Sequence, residues 1–260
     1  MIDDTYKNNP VFKKILEYSK FYELLSFSVF GFLTPGISGM LSADSYVFSS
    51  VQGTLDSIHD VLLKGRINDA YALLRKYNDS IVINIYTTLY CKDNLAEEDY
   101  VVQKITNWIN GTEKLPEYRI MSQYIRSHKT LIKLNDLIYI DDTYKNLRER
   151  CNDNTHYNFY RNVLLNDKDI YNKNRLKELE RFSADIELLF LLHITYLFYV
   201  NDHYMMSSDY RDSMDLGLEP EEGSQYYVAP FVQDVFDDVL KKNRPDIAKL
   251  IKSTTSMQLT

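Results

Sequence analysis

The sequence predicts an all-α protein, a multi-helix bundle built on a long antiparallel helical hairpin. Three observations predict it. Turn formers are scarce, with 8 Gly and 6 Pro in 260 residues, too few for the many reversals of a sandwich or barrel. Apolar residues recur three and four apart over long stretches, the period of one helix face. Gly65-Arg66 leaves only a short turn between two such stretches, so the helices on either side must fold back on each other.

The first helix is expected over 10–33, with Pro10 in its first turn and Pro35-Gly36 ending it. The second, over 45–64, carries Val47, Val51, Leu55, Ile58 and Leu62 on one face and ends at Gly65. The third starts at Ile67, and its stripe runs through Ala70, Tyr71, Leu74, Tyr77, Ile81, Ile85 and Leu89. These last two helices form the hairpin. A fourth is expected over 96–110, with Glu97, Glu98 and Asp99 suiting the positive end of its dipole. Pro116 opens one over 116–135, and another covers 138–151. Asn152-Asp-Asn-Thr either breaks that helix before His156 or forms a polar face within it. The longest helix, over 173–204, is apolar nearly all round from 188 to 200, as burial among several helices requires. A loop follows at 217–223, then a helix from Pro230 to about 242 and a short one from Pro245. The residues from Ser253 onward are polar and expected to fray. No internal repeat or linker divides the chain, so 1–260 reads as a single domain.

The net charge of -7 argues against a general electrostatic grip on nucleic acid, though a local basic pocket stays open. Two cysteines, Cys91 and Cys151, without a C-x-x-C give no disulfide framework, and a reducing cytoplasm is the expected setting. The first residues lack the order of a signal peptide. Residues 24–43 carry no charge until Asp44, but their Ser, Thr, Gly and Pro content reads as a buried, broken helix rather than a membrane span.

One stretch, 144–158, is dense in groups capable of chemistry. Arg150 and His156 stand within it with five residues between them. A histidine removes a proton near neutral pH, and an arginine stabilises charge developing on a phosphoryl oxygen. With a ribose 2′-hydroxyl as nucleophile, the two suffice for metal-free RNA cleavage. Asn152, Asn154 and Arg148 are candidates for holding phosphate. The other reading of the same residues is structural: Arg150 paired with a nearby carboxylate, and His156 capping a helix. Cys151 reads as a bystander thiol, a thiol–imidazole pair with His156 being the alternative. His128 and His193 lie on apolar stripes and read as hydrogen-bonded core residues. No zinc-ligand spacing, P-loop, dinucleotide fingerprint or nucleophile elbow occurs, so no metal or cofactor is expected.

The Arg150-x5-His156 pattern and the segment Cys-Asn-Asp-Asn-Thr-His-Tyr-Asn resemble the R-x4-6-H motif of HEPN domains, all-helical modules found among prokaryotic toxins, defence effectors and RNases. Arg75 and Asp79, one turn apart in the third helix, resemble the Arg and acid that such families carry there. The resemblance covers about 45–205. It implies a metal-independent endoribonuclease of a toxin or defence system, with His156 as base, Arg150 as transition-state stabiliser, and Arg75 with Asp79 in support. It also implies RNA as partner, a homodimer with a composite site, and a cognate regulatory protein. The alternative function is a non-catalytic helical module that binds a protein partner or a nucleotide, which the acidic balance favours.

Overall fold

A computed structural model describes residues 2–31, 38–95, 102–170 and 172–260, with the backbone alone at 30–31 and 38–42. The fold is an all-α bundle, and the described residues contain no strand beyond an isolated bridge between Met206 and Val228. A short helix α1 (Asp4–Lys7) is capped by Asp3, whose carboxylate accepts the Tyr6 amide at 2.9 Å. Helices α2 (Val11–Gly31) and α3 (Ser38–Leu63) pack along each other. The expected break at Pro35-Gly36 lies outside the described residues.

The chain then turns at Gly65 into α4 (Ile67–Asn94). Gly65 adopts φ +74°, its amide bonds the Leu62 carbonyl at 2.7 Å, and the Arg66 amide bonds Val61 at 3.0 Å. This is the paired closure in which a left-handed residue ends a helix. A Cβ at Gly65 would lie 2.3 Å from the Ile2 side chain, so glycine is needed for space as well as for φ. Helix α4 is the hub of the bundle and touches α3, α6, α8 and α10.

The helix expected over 96–110 is described only as α5 (Gln103–Ile109), and its acidic start at Glu97, Glu98 and Asp99 lies outside the described residues. The single helix expected over 116–135 is instead two, α6 (Tyr118–Ser127) and α7 (Ile132–Ile138), joined by a short 3₁₀ turn. The side chain of Asn135 explains the break. Its amide donates to the carbonyls of Ile125 and Arg126, both at 3.0 Å, supplying the donors that a continuing helix would have brought. His128 at the break is buried, with its ring bonded to Asp93 at 2.9 Å and Thr130 at 2.8 Å.

Helix α8 (Thr143–Thr155) follows, then a single short turn of helix, α9 (Tyr160–Leu164), that the sequence reading missed. Helix α10 (Arg175–Val200) crosses the bundle. It is long and apolar enough to cross a membrane by length and composition, and 72% of its most apolar window is buried inside the fold. The segment α11 (Asp209–Asp215) was also missed; it has no buried residue to give it an apolar stripe. Pro230 and Pro245 open α12 (Pro230–Val235) and α14 (Pro245–Thr254) as expected. Between them, Phe236–Leu240 is a π-helical turn that leads into α13 (Lys241–Asn243). The C-terminal residues do not fray. Met257 and Leu259 are buried, and the Gln258 amide bonds the Tyr226 carbonyl at 2.9 Å.

A chain of hydrogen bonds crosses the core. Asn84 Nδ2 donates to Asp44 Oδ1 at 2.7 Å, which turns Asn84 Oδ1 toward His193 Nε2 at 3.0 Å. That nitrogen therefore carries the ring proton, and His193 Nδ1 accepts from the Tyr22 hydroxyl at 2.7 Å. The Tyr22 oxygen in turn accepts from Tyr77 at 2.6 Å, and Tyr204 donates to the other Asp44 oxygen at 2.7 Å. Burial pushes His193 down to about 3 and Asp44 up to about 6, so the imidazole is neutral. His193 is thus the bonded core histidine that its apolar stripe predicts.

Candidate functional site

Helix α8 holds most of the predicted site residues, and its period sorts them. Residues four apart share a face, and residues two apart point about 200° away from each other. Arg148 and Asn152 therefore lie on one side, Arg150 and Asn154 on the other. The helix runs unbroken through Asn152-Asp-Asn-Thr, so this polar cluster is a helical face rather than a break.

Arg148 and Asn152 help line a cavity of about 370 Å³ against α4, α6 and α10. Arg148 donates to Asp79 at 2.8 Å, and its guanidinium sits 3.3 Å over the Tyr118 ring. Asn152 Oδ1 is buried without a hydrogen-bond partner. Asp79 thus pairs with Arg148 of α8, and the Arg75–Asp79 juxtaposition suggested by the sequence is replaced by two interhelical contacts.

Arg150 faces the other way. Its Nε donates to Asp185 Oδ2 of α10 at 2.9 Å, and its Nη2 bonds the other oxygen of the same carboxylate. The Arg150 side chain is 32% exposed, while that of Asp185 is 2% exposed. Tyr71 of α4 donates its hydroxyl to Asp185 Oδ2 at 3.1 Å. Asp185 keeps the Arg150 guanidinium firmly charged. Asn154 is fixed as well: its amide donates to the Arg150 carbonyl at 2.9 Å, and Asn68 donates to its carbonyl groups at 2.9 and 3.0 Å.

His156 occupies the C-cap position of α8. The next residue, Tyr157, has φ 50°, the only positive φ among the described non-glycine residues. The Tyr157 amide bonds Asn154 at 3.3 Å and the Asn158 amide bonds Asp153 at 3.0 Å, the closure that Gly65 makes at the end of α3. Here a tyrosine holds the left-handed conformation at a cost of roughly 1 kcal/mol. The turn presents His156 at the surface against α4, where Arg75 Nη1 lies 3.2 Å from Nε2. An arginine can only donate, so Nε2 is the acceptor and the ring proton sits on Nδ1.

The structure therefore pairs His156 with Arg75 and ties Arg150 to Asp185. The Cys151 thiol is buried and pushed up to about 12 by desolvation and by Asp185, so it supplies no thiolate for a partnership with His156. Two participants escaped the sequence reading, Asp185 and Tyr71. The signal for the first was present: Asp185 falls on the buried stripe of α10 between Phe182 and Leu189, where a charge demands a partner. Among the described residues, no group of three or more His, Cys, Asp or Glu is placed to hold a metal ion.

No protein-family model, curated protein or solved structure matches this chain.

Proposed function

We propose that this chain is a HEPN-like helical endoribonuclease that works without a metal, with His156 as base and Arg75 as the cation beside it. The observation that carries this reading is the 3.2 Å contact between Arg75 Nη1 and His156 Nε2. It joins an imidazole and a guanidinium at the protein surface, across two helices. In the reaction, Nε2 takes the proton of a ribose 2′-hydroxyl. The 2′-oxygen attacks phosphorus, the bond to the 5′-oxygen breaks, and that oxygen leaves with a proton from water, giving a 2′,3′-cyclic phosphate. Arg75, released from Nε2 as substrate enters, stabilises the phosphoryl oxygens. Arg150 has a positioning role: with Asp185 and Tyr71 it fixes α8 against α4 and α10. Asp79 similarly holds Arg148. A second copy that completes the site, and a cognate regulatory protein for a toxin or defence role, belong to the same proposal.

A second reading, a silent helical module that binds a protein or nucleotide, is favoured by one observation. The Arg150 charge is already matched by Asp185, and the His156 lone pair is already matched by Arg75. One experiment separates the two. RNA is incubated with the wild type, His156→Ala and Arg75→Ala in the presence of a chelator. The endoribonuclease reading expects cleavage to cyclic-phosphate ends by the wild type and a loss of about 100-fold or more in each variant. Cleavage unchanged in both variants overturns it, and an inert wild type assigns the silent module.

A further inference from the structure

On the Arg150 face of α8, a cavity of about 440 Å³ opens between α8, α9 and the start of α10. Its volume is that of small-ligand sites, ~300–1,000 Å³. The chain carries a net charge of -7, yet this lining sets Arg150, Arg161, Lys173 and Arg181 against only two carboxylates, Asp153 and Glu178. Arg150 is already paired with Asp185, so the uncommitted charge lies on Arg161 and Lys173. Arg161 and Lys173 have no ion-pair partner among the described residues. The Arg161 guanidinium rests 4.6 Å over the Phe159 ring. Arg181 engages Glu178 through Nη1 alone.

One wall is apolar, formed by Leu164, Leu165 and Ile170 with Tyr71, and Asn154, Asn162, Asn172 and Asn174 complete the lining. The wall itself is braced. Arg175, almost fully buried, donates to the carbonyls of Gly65, Asp167 and Ile170, which anchors the backbone at those three positions without using a carboxylate. A preformed recess that is cationic at its rim and apolar on one wall matches a doubly charged phosphate carried on a planar organic body.

We infer that this cavity binds a nucleoside 5′-phosphate, either free or as the end of a strand. The guanidinium and ammonium groups of Arg161, Lys173 and Arg181 would meet the phosphate, and the leucine and isoleucine wall would take the base. Neither His156 nor Arg75 lines this cavity, so the assignment does not depend on whether the chain cleaves RNA.

The test is calorimetric titration of the full chain with adenosine 5′-phosphate, adenosine, inorganic phosphate, and a short single-stranded RNA with either a 5′-phosphate or a 5′-hydroxyl. Arg161→Glu and Lys173→Glu, singly and combined, are compared with Lys242→Glu, a reversal of an exposed residue that does not line the cavity. Both test residues are exposed, so circular dichroism is expected to show an unchanged fold. The expected result is binding of the nucleotide, of the phosphorylated strand, or of both, and no binding of adenosine or the hydroxyl strand. Which of the two binds identifies the source of the phosphate. Each reversal in the cavity weakens binding by about tenfold or more, as loss of a charge-assisted contact requires, and Lys242→Glu leaves it unchanged. The inference is overturned if neither phosphorylated ligand binds at millimolar concentration, if adenosine binds equally well, or if the combined reversal leaves binding intact.

Discussion

Removing the Arg150 side chain is the sharpest perturbation of this fold. In Arg150→Ala, the Asp185 carboxylate stays in a site where its side chain is 2% exposed, and only the Tyr71 hydroxyl remains as partner. Breaking a buried pair by removing one member costs about 3–5 kcal/mol. The Arg150 side chain is 32% exposed, so solvent already screened part of the attraction, and about 3 kcal/mol is expected. For a chain of this size that lowers the thermal midpoint by roughly 6–12 °C. Replacing both members, as in Arg150→Met with Asp185→Leu, removes the stranded charge and is expected to recover at least about half of the loss. The assay is urea denaturation followed by circular dichroism, with the unchanged slope confirming that a single transition is being compared. An Arg150→Ala variant within about 0.5 kcal/mol of the wild type refutes the argument, as does a double variant no more stable than the single one. The result also bears on catalysis, because activity lost in Arg150→Ala must be corrected for unfolded protein before any chemical role is assigned.

Three further outcomes follow from the same geometry. The two left-handed helix ends should respond oppositely: Gly65→Ala loses about 1–2 kcal/mol, from strained φ and collision with Ile2, while Tyr157→Gly changes stability by about 0 to +1 kcal/mol. Thermal midpoints read both, and a stabilised Gly65→Ala would contradict the assignment. Asn135→Ala should cost about 1–2 kcal/mol by uncapping the carbonyls of Ile125 and Arg126, and a neutral result would mean that water replaces the cap. Stability should fall with acid, because His193 stays neutral in the fold down to about 3 while the unfolded ring protonates near 6.5. The contribution is complete above pH 6.5 and worth roughly 2 kcal/mol between there and pH 5. Asp44, raised to about 6, takes up its proton first in the folded state and offsets about 1 kcal/mol of that loss. Asp44→Asn should therefore steepen the acid dependence of the unfolding free energy; a shallower curve contradicts the signs.

Much of this architecture was legible in the sequence because helical period and apolar burial are local signals. The hairpin at Gly65, the all-round apolar length of α10 and the proline starts at Pro230 and Pro245 all follow from a few neighbouring residues. The failures share a different cause. Nothing near Ile125 announces a helix end, because its capping group arrives from Asn135, ten residues later. The C-terminal residues are polar on average, yet Met257 and Leu259 find the core. In the site, residue types were readable but partners were not. Arg150 and His156 looked like a pair because they are close in sequence. Six positions along α8 and its cap turn them about 120° apart, and Asp185 claims one while Arg75 claims the other. The spacing within α8 contained one unused deduction: Arg148 with Asn152, and Arg150 with Asn154, cannot all face one ligand once the helix is continuous.

The bonds that join Tyr77, Tyr22, His193, Asn84, Asp44 and Tyr204 also act as a gauge of helix register. They link α2, α3, α4, α10 and the segment after α10 through groups that each fit one neighbour in one orientation. Apolar side chains tolerate sliding, since one leucine packs much like another. A helix displaced along its axis by one turn, about 5.4 Å, would break several of these bonds together and bury their donors and acceptors unpaired. The bundle is thus held to one alignment by polar contacts at its centre. Helix α8, outside that polar chain, rests against a scaffold that cannot slip to accommodate it.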